Sequence, residues 1–201
     1  LLRTLARSLK PTAGSVLLDG EDVASLAPKA FARRLGLLPQ TSSAPDGITV
    51  HELVSRGRFP HQSALRQWSL ADEAAVQAAM DSTGVAALRD RYVDELSGGQ
   101  RQRVWIALVL AQQTPTLLLD EPTTYLDVSH QYEVLDLCER LRAEGRTLVV
   151  VLHDLNQAAR YATHLVAMRE GVVVARGTPA EVVTEPIMAQ VFNLACHVVP
   201  D

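Results

Sequence analysis

Apolar and polar positions along the chain change period several times, and each change predicts an element. Leu1-Leu2-Arg3-Thr4-Leu5-Ala6-Arg7-Ser8-Leu9 has helical spacing and predicts an amphipathic helix already in progress at Leu1. Lys10-Pro11-Thr12-Ala13-Gly14 then predicts a turn, and Ser15 to Gly20 a short strand ending in a second turn. Leu35-Gly36-Leu37-Leu38-Pro39 predicts another strand, closed by Gln40 and the polar loop Thr41 to Gly47. From Thr49 to about Asp94 helical patterns replace strands, Asp72 to Met80 among them, which predicts a helical insertion. Gln102 to Gln113 is apolar nearly all round, the pattern of a helix buried between layers. Leu117-Leu118-Leu119 and Leu148 to Leu152 are continuous apolar runs, as buried parallel strands tend to be. Helical spacing at Val134, Leu135, Cys138 and Leu141 lies between them, which predicts a right-handed strand-helix-strand crossover.

Composition narrows the class. The chain has 201 residues, 47% of them hydrophobic and 21% charged, enough for a substantial core and too apolar for a disordered chain. No apolar run approaches the roughly 18 to 20 residues that a membrane-spanning helix needs. The net charge of −4 argues against a nucleic-acid binder held by electrostatics. Cys138 and Cys196 stand far apart and offer neither a disulfide framework nor metal-ligand spacing. Lys10 and Lys29 are the only two lysines.

Five short segments carry candidate chemistry. Ser97-Gly98-Gly99-Gln100 directly precedes the buried helix, where glycines let backbone N–H groups and the helix dipole approach an anion, and Ser97 and Gln100 add side-chain donors. By itself such a run also reads as a capped turn. Asp120-Glu121 ends a predicted buried strand, the end at which α/β sheets place ligands. Asp120 suits Mg²⁺, and Glu121 is then free to polarise a water for in-line attack on a γ-phosphate. Gln40 follows a strand, can reach both metal and water, and stands at the hinge to the helical insertion. His153 follows the last strand and can donate to a phosphate oxygen, while Asp127 has the position of an N-cap.

In this order Gln40, Ser97 to Gln100, Asp120-Glu121, Asp127 and His153 resemble the Q-loop, signature motif, Walker B with catalytic glutamate, D-loop and switch histidine of ATP-binding-cassette ATPases. The resemblance runs over essentially all 201 residues. It implies a P-loop NTPase-like, three-layer α/β/α domain over 1–201 with a helical subdomain inserted at about 43–95. It further implies ATP and Mg²⁺ as cofactors, with Asp120 and Gln40 at the metal, Glu121 and His153 catalytic, and Gln40, Ser97, Gly98, Gly99, Gln100 and Asp127 at the nucleotide. The implied partners are a second ATPase subunit that completes the ATP sandwich, transmembrane permease subunits and, indirectly, a substrate-binding protein, with no nucleic acid. The implied place is peripheral, on the cytoplasmic face of the inner membrane.

Arg56-Gly57-Arg58-Phe59-Pro60-His61-Gln62, Thr123 to Gln131 and His153 to Ala162 resemble the iron–siderophore, haem and vitamin B12 importers, the siderophore branch most. Taken as residues alone, Arg56 to Gln62 also reads as a solvated loop. An ATPase of another transporter class, a soluble cassette in translation or repair, and a non-catalytic cassette are the alternatives. No phosphate-binding run G-x-x-x-x-G-K-S/T occurs, and neither lysine follows a glycine. In the family that run precedes the helix beginning near Leu1. The expectation is therefore a chain cut at both ends, one that without this run neither binds MgATP with ordinary affinity nor turns it over.

Overall fold

The computed structural model describes residues 1–41, 43–63 and 68–199, so Ser42 of the polar loop and the last two residues lie outside it. The chain divides into two compact units, Leu1–Val151 and Leu152–Asp201.

The first unit is built on a parallel sheet. Its strands β3 (Leu35–Leu38), β4 (Thr116–Asp120) and β5 (Thr147–Val151) run side by side in that order. Leu37 pairs with Leu118 and Leu38 with Leu119, while Asp120 pairs with Val151. Side chains alternate faces along a strand, so β4 feeds two cores. Leu117 and Leu119 enter the larger one, and Leu118 enters a second with Leu2, Val23, Leu26, Phe31 and Leu35. All three β4 leucines are at most 3% exposed. A strand covered on both faces must be apolar at every position, and this is why its sequence shows no alternation. Among the described residues β5 pairs with β4 alone and is less covered, with Val149 exposed, in contrast to the fully buried strand that its sequence predicts.

Short elements cover the Leu118 face. Helix α1 (Leu2–Leu5) is followed by the two-residue strands β1 (Leu17–Leu18) and β2 (Glu21–Asp22), which form a hairpin, and then by α2 (Pro28–Ala32). The helix expected through Leu9 ends after one turn. Arg7 takes a left-handed backbone with φ of 60°, its guanidinium donates to the Leu26 carbonyl, and only Leu2 is buried.

Helices cover the other face. They are α3 (Val50–Ser55), a 3₁₀ turn at Arg56–His61, α4 (Leu70–Ser82), two further 3₁₀ turns, α5 (Gly98–Ala111) and α6 (Val128–Ala143). Hydroxyl residues start two of these helices: Thr49 with Glu52 and Ser69 with Asp72 form reciprocal capping boxes. Helix α5 presses close to β3 because Gly36 is small; a Cβ there would come within 3.0 Å of Val109 on α5 and 2.9 Å of the Thr114 hydroxyl just after it. The run Arg56 to His61 is a staple across the end of α5 rather than a solvated loop. Arg58 is 5% exposed; its guanidinium donates to Asp72 at 2.9 Å, to the Ala111 carbonyl at 2.7 Å and to Gln113 at 2.9 Å. His61 meets the Gln112 carbonyl at 2.8 Å. Carbonyls left unpaired at the end of α5 thereby find donors. Gly57 is required by contact, since a Cβ would sit 2.2 Å from the Leu108 carbonyl oxygen.

The second unit has a small core of its own around Ala167, Val182 and Val191. It contains α7 (Leu155–Tyr161), the antiparallel hairpin β6 (Leu165–Arg169) and β7 (Val172–Gly177), α8 (Pro179–Val182) and α9 (Glu185–Phe192). Glu170 and Gly171 turn the hairpin with φ of 51° and 80°, the paired positive values of a two-residue hairpin loop.

Candidate functional site

The register of the parallel sheet builds the site. Leu38 pairs with Leu119, and counting two residues on from each brings Gln40 level with Glu121 beyond the C-terminal strand ends. The side chains meet there: Gln40 Nε2 donates to Glu121 Oε1 at 2.8 Å, across 81 positions of sequence. Glu121 itself has a left-handed backbone, φ 53°, a conformation costing about 1–2 kcal/mol for a residue with a Cβ. Strain of this kind persists only where the surroundings hold it. The holding is visible, because the Thr124 N–H donates to the Glu121 carbonyl at 3.2 Å and the Thr124 hydroxyl to Glu121 Oε2 at 3.1 Å.

Asp120 is the last residue of β4, partly buried beside Glu121. Its carboxylate and the Gln40 amide oxygen, which remains available while Nε2 donates to Glu121, are hard oxygen donors of the kind Mg²⁺ prefers. Among the described residues no three His, Cys, Asp or Glu side chains gather as a complete cation cage. Two protein oxygens suit an ion whose coordination is finished by water and substrate phosphate.

Ser97 is the N-cap of α5. Its hydroxyl oxygen accepts from the Gln100 N–H at 3.2 Å, and Gln100 Oε1 accepts from the Ser97 N–H at 3.1 Å. Both side chains act here as acceptors, so the box leaves the hydroxyl proton and the amide N–H₂ with their donor capacity. Gly98 and Gly99 form the first turn, whose N–H groups have no partner within the helix. A Cβ on Gly99 would come within 3.3 Å of Leu126, so this glycine admits the loop that follows Glu121. Gln102 ties the two together by donating to the Pro122 carbonyl at 3.1 Å.

Asp127 caps α6. It accepts from the His130 N–H at 3.0 Å, and from the His130 ring at 2.6 Å and the Ser129 hydroxyl at 3.0 Å. These donors, the His130 backbone first, hold its carboxyl down at about 2. His153 belongs to the second unit, exposed in the turn before α7, where Asp154 caps the helix by accepting from the Gln157 N–H.

Thr124, Gln102 and His130 are functional candidates that the motif pattern did not single out. A hydroxyl three residues after a strand-end glutamate was the available signal for Thr124. Beside Gln40 a cavity of about 250 Å³ opens among Leu37, Leu38, Pro39, Thr41, Ser43, Trp105, Leu108 and Val109.

A three-layer parallel α/β unit with glutamine and glutamate paired at neighbouring strand ends, beside a Ser-Gly-Gly-Gln helix start, has the design of a nucleotide-hydrolysing cassette. Comparison with known proteins agrees. Residues 1–124 match the sequence profile of the ABC transporter family. The ferric enterobactin transport ATP-binding protein of Escherichia coli K12 is 54% identical over 202 aligned residues, covering all of this chain and 74% of that protein. The iron(3+)-hydroxamate import ATP-binding protein of Bacillus subtilis 168 is 48% identical, covering 100% of this chain and 75% of that one. Among solved structures, an inward-facing putative metal-chelate type ABC transporter superposes with a TM-score of 0.75 at 29% identity, covering 81% of this chain and 64% of that one. A dimeric bacterial ABC transporter cassette gives 0.77 at 26% identity, covering 89% and 78%. The chain belongs to the ABC transporter family, as one of its ATP-binding ATPase subunits. Among the described residues no helix is long and apolar enough to cross a membrane.

Proposed function

We propose that, with a phosphate-binding run completing the nucleotide site that residues 1–201 furnish only in part, this protein hydrolyses ATP to drive import of a ferric siderophore or a related chelate, haem or vitamin B12. The Gln40–Glu121 hydrogen bond carries the hydrolytic part. Glu121 takes a proton from water as the water oxygen bonds to the γ-phosphorus and the bond to the β-phosphate oxygen breaks, releasing ADP and phosphate. Asp120 and Gln40 hold Mg²⁺ through oxygen. When bound, that ion neutralises phosphate charge. His153 donates to the γ-phosphate. Ser97, Gly98, Gly99 and Gln100 receive the phosphates of ATP held by a second ATPase subunit, and Asp127 faces that same junction.

Residues 43–95 serve as a helical subdomain within a single cassette over 1–201. The cavity beside Gln40 is apolar with two hydroxyls at its rim, and it suits the docking of a transmembrane permease subunit. Docking of that kind places the protein on the cytoplasmic face of the membrane. The iron cargo is supported by identity of 48–54% to relatives named for ferric enterobactin and iron(3+)-hydroxamate transport.

The test is Glu121→Gln in the assembled transporter, with ATP binding, ATP hydrolysis and uptake of radioactive iron on siderophore or haem, or of radioactive cobalt in cobalamin, measured together. Binding persists while hydrolysis and uptake are lost. Hydrolysis at the parent rate removes Glu121 as the base, and normal uptake of another solute class with no chelate uptake removes the cargo.

A further inference from the structure

We propose that Thr124 is a positioning residue for hydrolysis, its hydroxyl fixing the plane of the Glu121 carboxylate. The proposal rests on Glu121 being the base. A glutamate carboxylate turns easily about its last side-chain bond, a broad torsion with weak preference, so a single hydrogen bond leaves its orientation loose. Here two donors take one oxygen each: Gln40 Nε2 reaches Oε1 at 2.8 Å and Thr124 Oγ1 reaches Oε2 at 3.1 Å. One donor comes from the end of β3 and the other from the loop after β4, so the carboxylate is held from two separate elements.

Turn closure does not need the hydroxyl. The Thr124 N–H already donates to the Glu121 carbonyl at 3.2 Å, and the Leu126 N–H to Thr123 at 3.3 Å. Pro122 and Thr123 are buried, and Gln102 holds the Pro122 carbonyl at 3.1 Å. The side chain can therefore be altered while the backbone of the loop keeps its own bonds.

The experiment compares Thr124→Val, which keeps the shape and removes the hydroxyl, with Thr124→Ser, which keeps the hydroxyl. ATP hydrolysis by the assembled transporter is measured with kcat and KM separated. Thr124→Val lowers kcat about 10-fold, as loss of a hydrogen bond to a charged group does, with KM for ATP within about twofold. Thr124→Ser matches the parent in both measures. A Thr124→Val protein with the parent kcat overturns the proposal, as does a Thr124→Ser protein equally impaired. Should thermal unfolding show that Thr124→Val does not fold, Thr124→Ala against Thr124→Ser makes the same comparison. Glu121→Gln separates the two levels: if it hydrolyses at the parent rate the base assignment fails, and if it is inactive while Thr124→Val is normal only the positioning fails.

Discussion

Two polar pairs in the first unit use the same physics to opposite ends. Arg58 and Asp72 lie at 5% and 2% exposure, and their charges are spent inside the protein: on each other, on Ser69, on Gln113 and on the end of α5. Gln40 and Glu121 also meet across a long separation, but just beyond the C-terminal strand ends, with Gln40 exposed, Glu121 half-buried and a strained backbone at Glu121. A buried pair with its partners in place contributes rigidity, and breaking it strands a charge. A pair at the strand ends, on strained backbone, stands where a substrate can reach it. Burial, more than residue type, separates the structural pair from the chemical one.

Mutations can break the contrast, beginning with the largest effect. Glu121→Gln lowers hydrolysis by about 10²–10⁴-fold, the range for losing a general base, and leaves the unfolding midpoint of the protein near the parent value. Arg58→Ala does the reverse. It leaves Asp72 buried without its cation and lowers unfolding stability by about 3–5 kcal/mol, read by urea denaturation. Gly57→Ala attacks the same staple by shape alone, forcing a methyl against the Leu108 carbonyl, and costs about 1–3 kcal/mol in the same assay.

Acid gives the smallest and most graded test. The Asp72 carboxyl is held below its usual range by the Ser69 hydroxyl and then by the Arg58 guanidinium, Glu73 by Arg89 and then by His51 and Trp68, and Asp127 by His130. A depressed carboxyl favours the folded state above its unfolded value, about 4, and that contribution drains as pH falls through the folded value. Thermal midpoints therefore fall between about pH 4 and the Asp127 value of about 2. Asp127→Asn makes the decline shallower, and a midpoint curve identical to the parent counts against the capping role of Asp127.

Much of this was legible in the sequence because it is local. The β4 leucines declared a strand covered on both faces. Ser97 with Gln100 and Asp127 declared helix starts through capping chemistry that spans only three residues. Two local expectations gave way to packing. The first helix stops at Leu5 because Arg7 turns to the Leu26 carbonyl, and Val149 is exposed on β5, which pairs with β4 alone among the described residues. Arg56 to His61 looked equally fit for solvent, since nothing within that run shows that Gly57 lies against Leu108 and Arg58 against Asp72.

The sequence by itself determined the class of chemistry, through the order of Gln40, Ser97 to Gln100, Asp120-Glu121, Asp127 and His153, and the strands that carry it. It did so because periodicity, capping and motif order are properties of neighbouring residues. Only the tertiary structure decided that Gln40 and Thr124 grip opposite oxygens of one carboxylate, and that Arg58 is a buried staple. Those outcomes depend on strand register and on side chains brought together across 81 and 14 positions, distances over which local propensity carries no information.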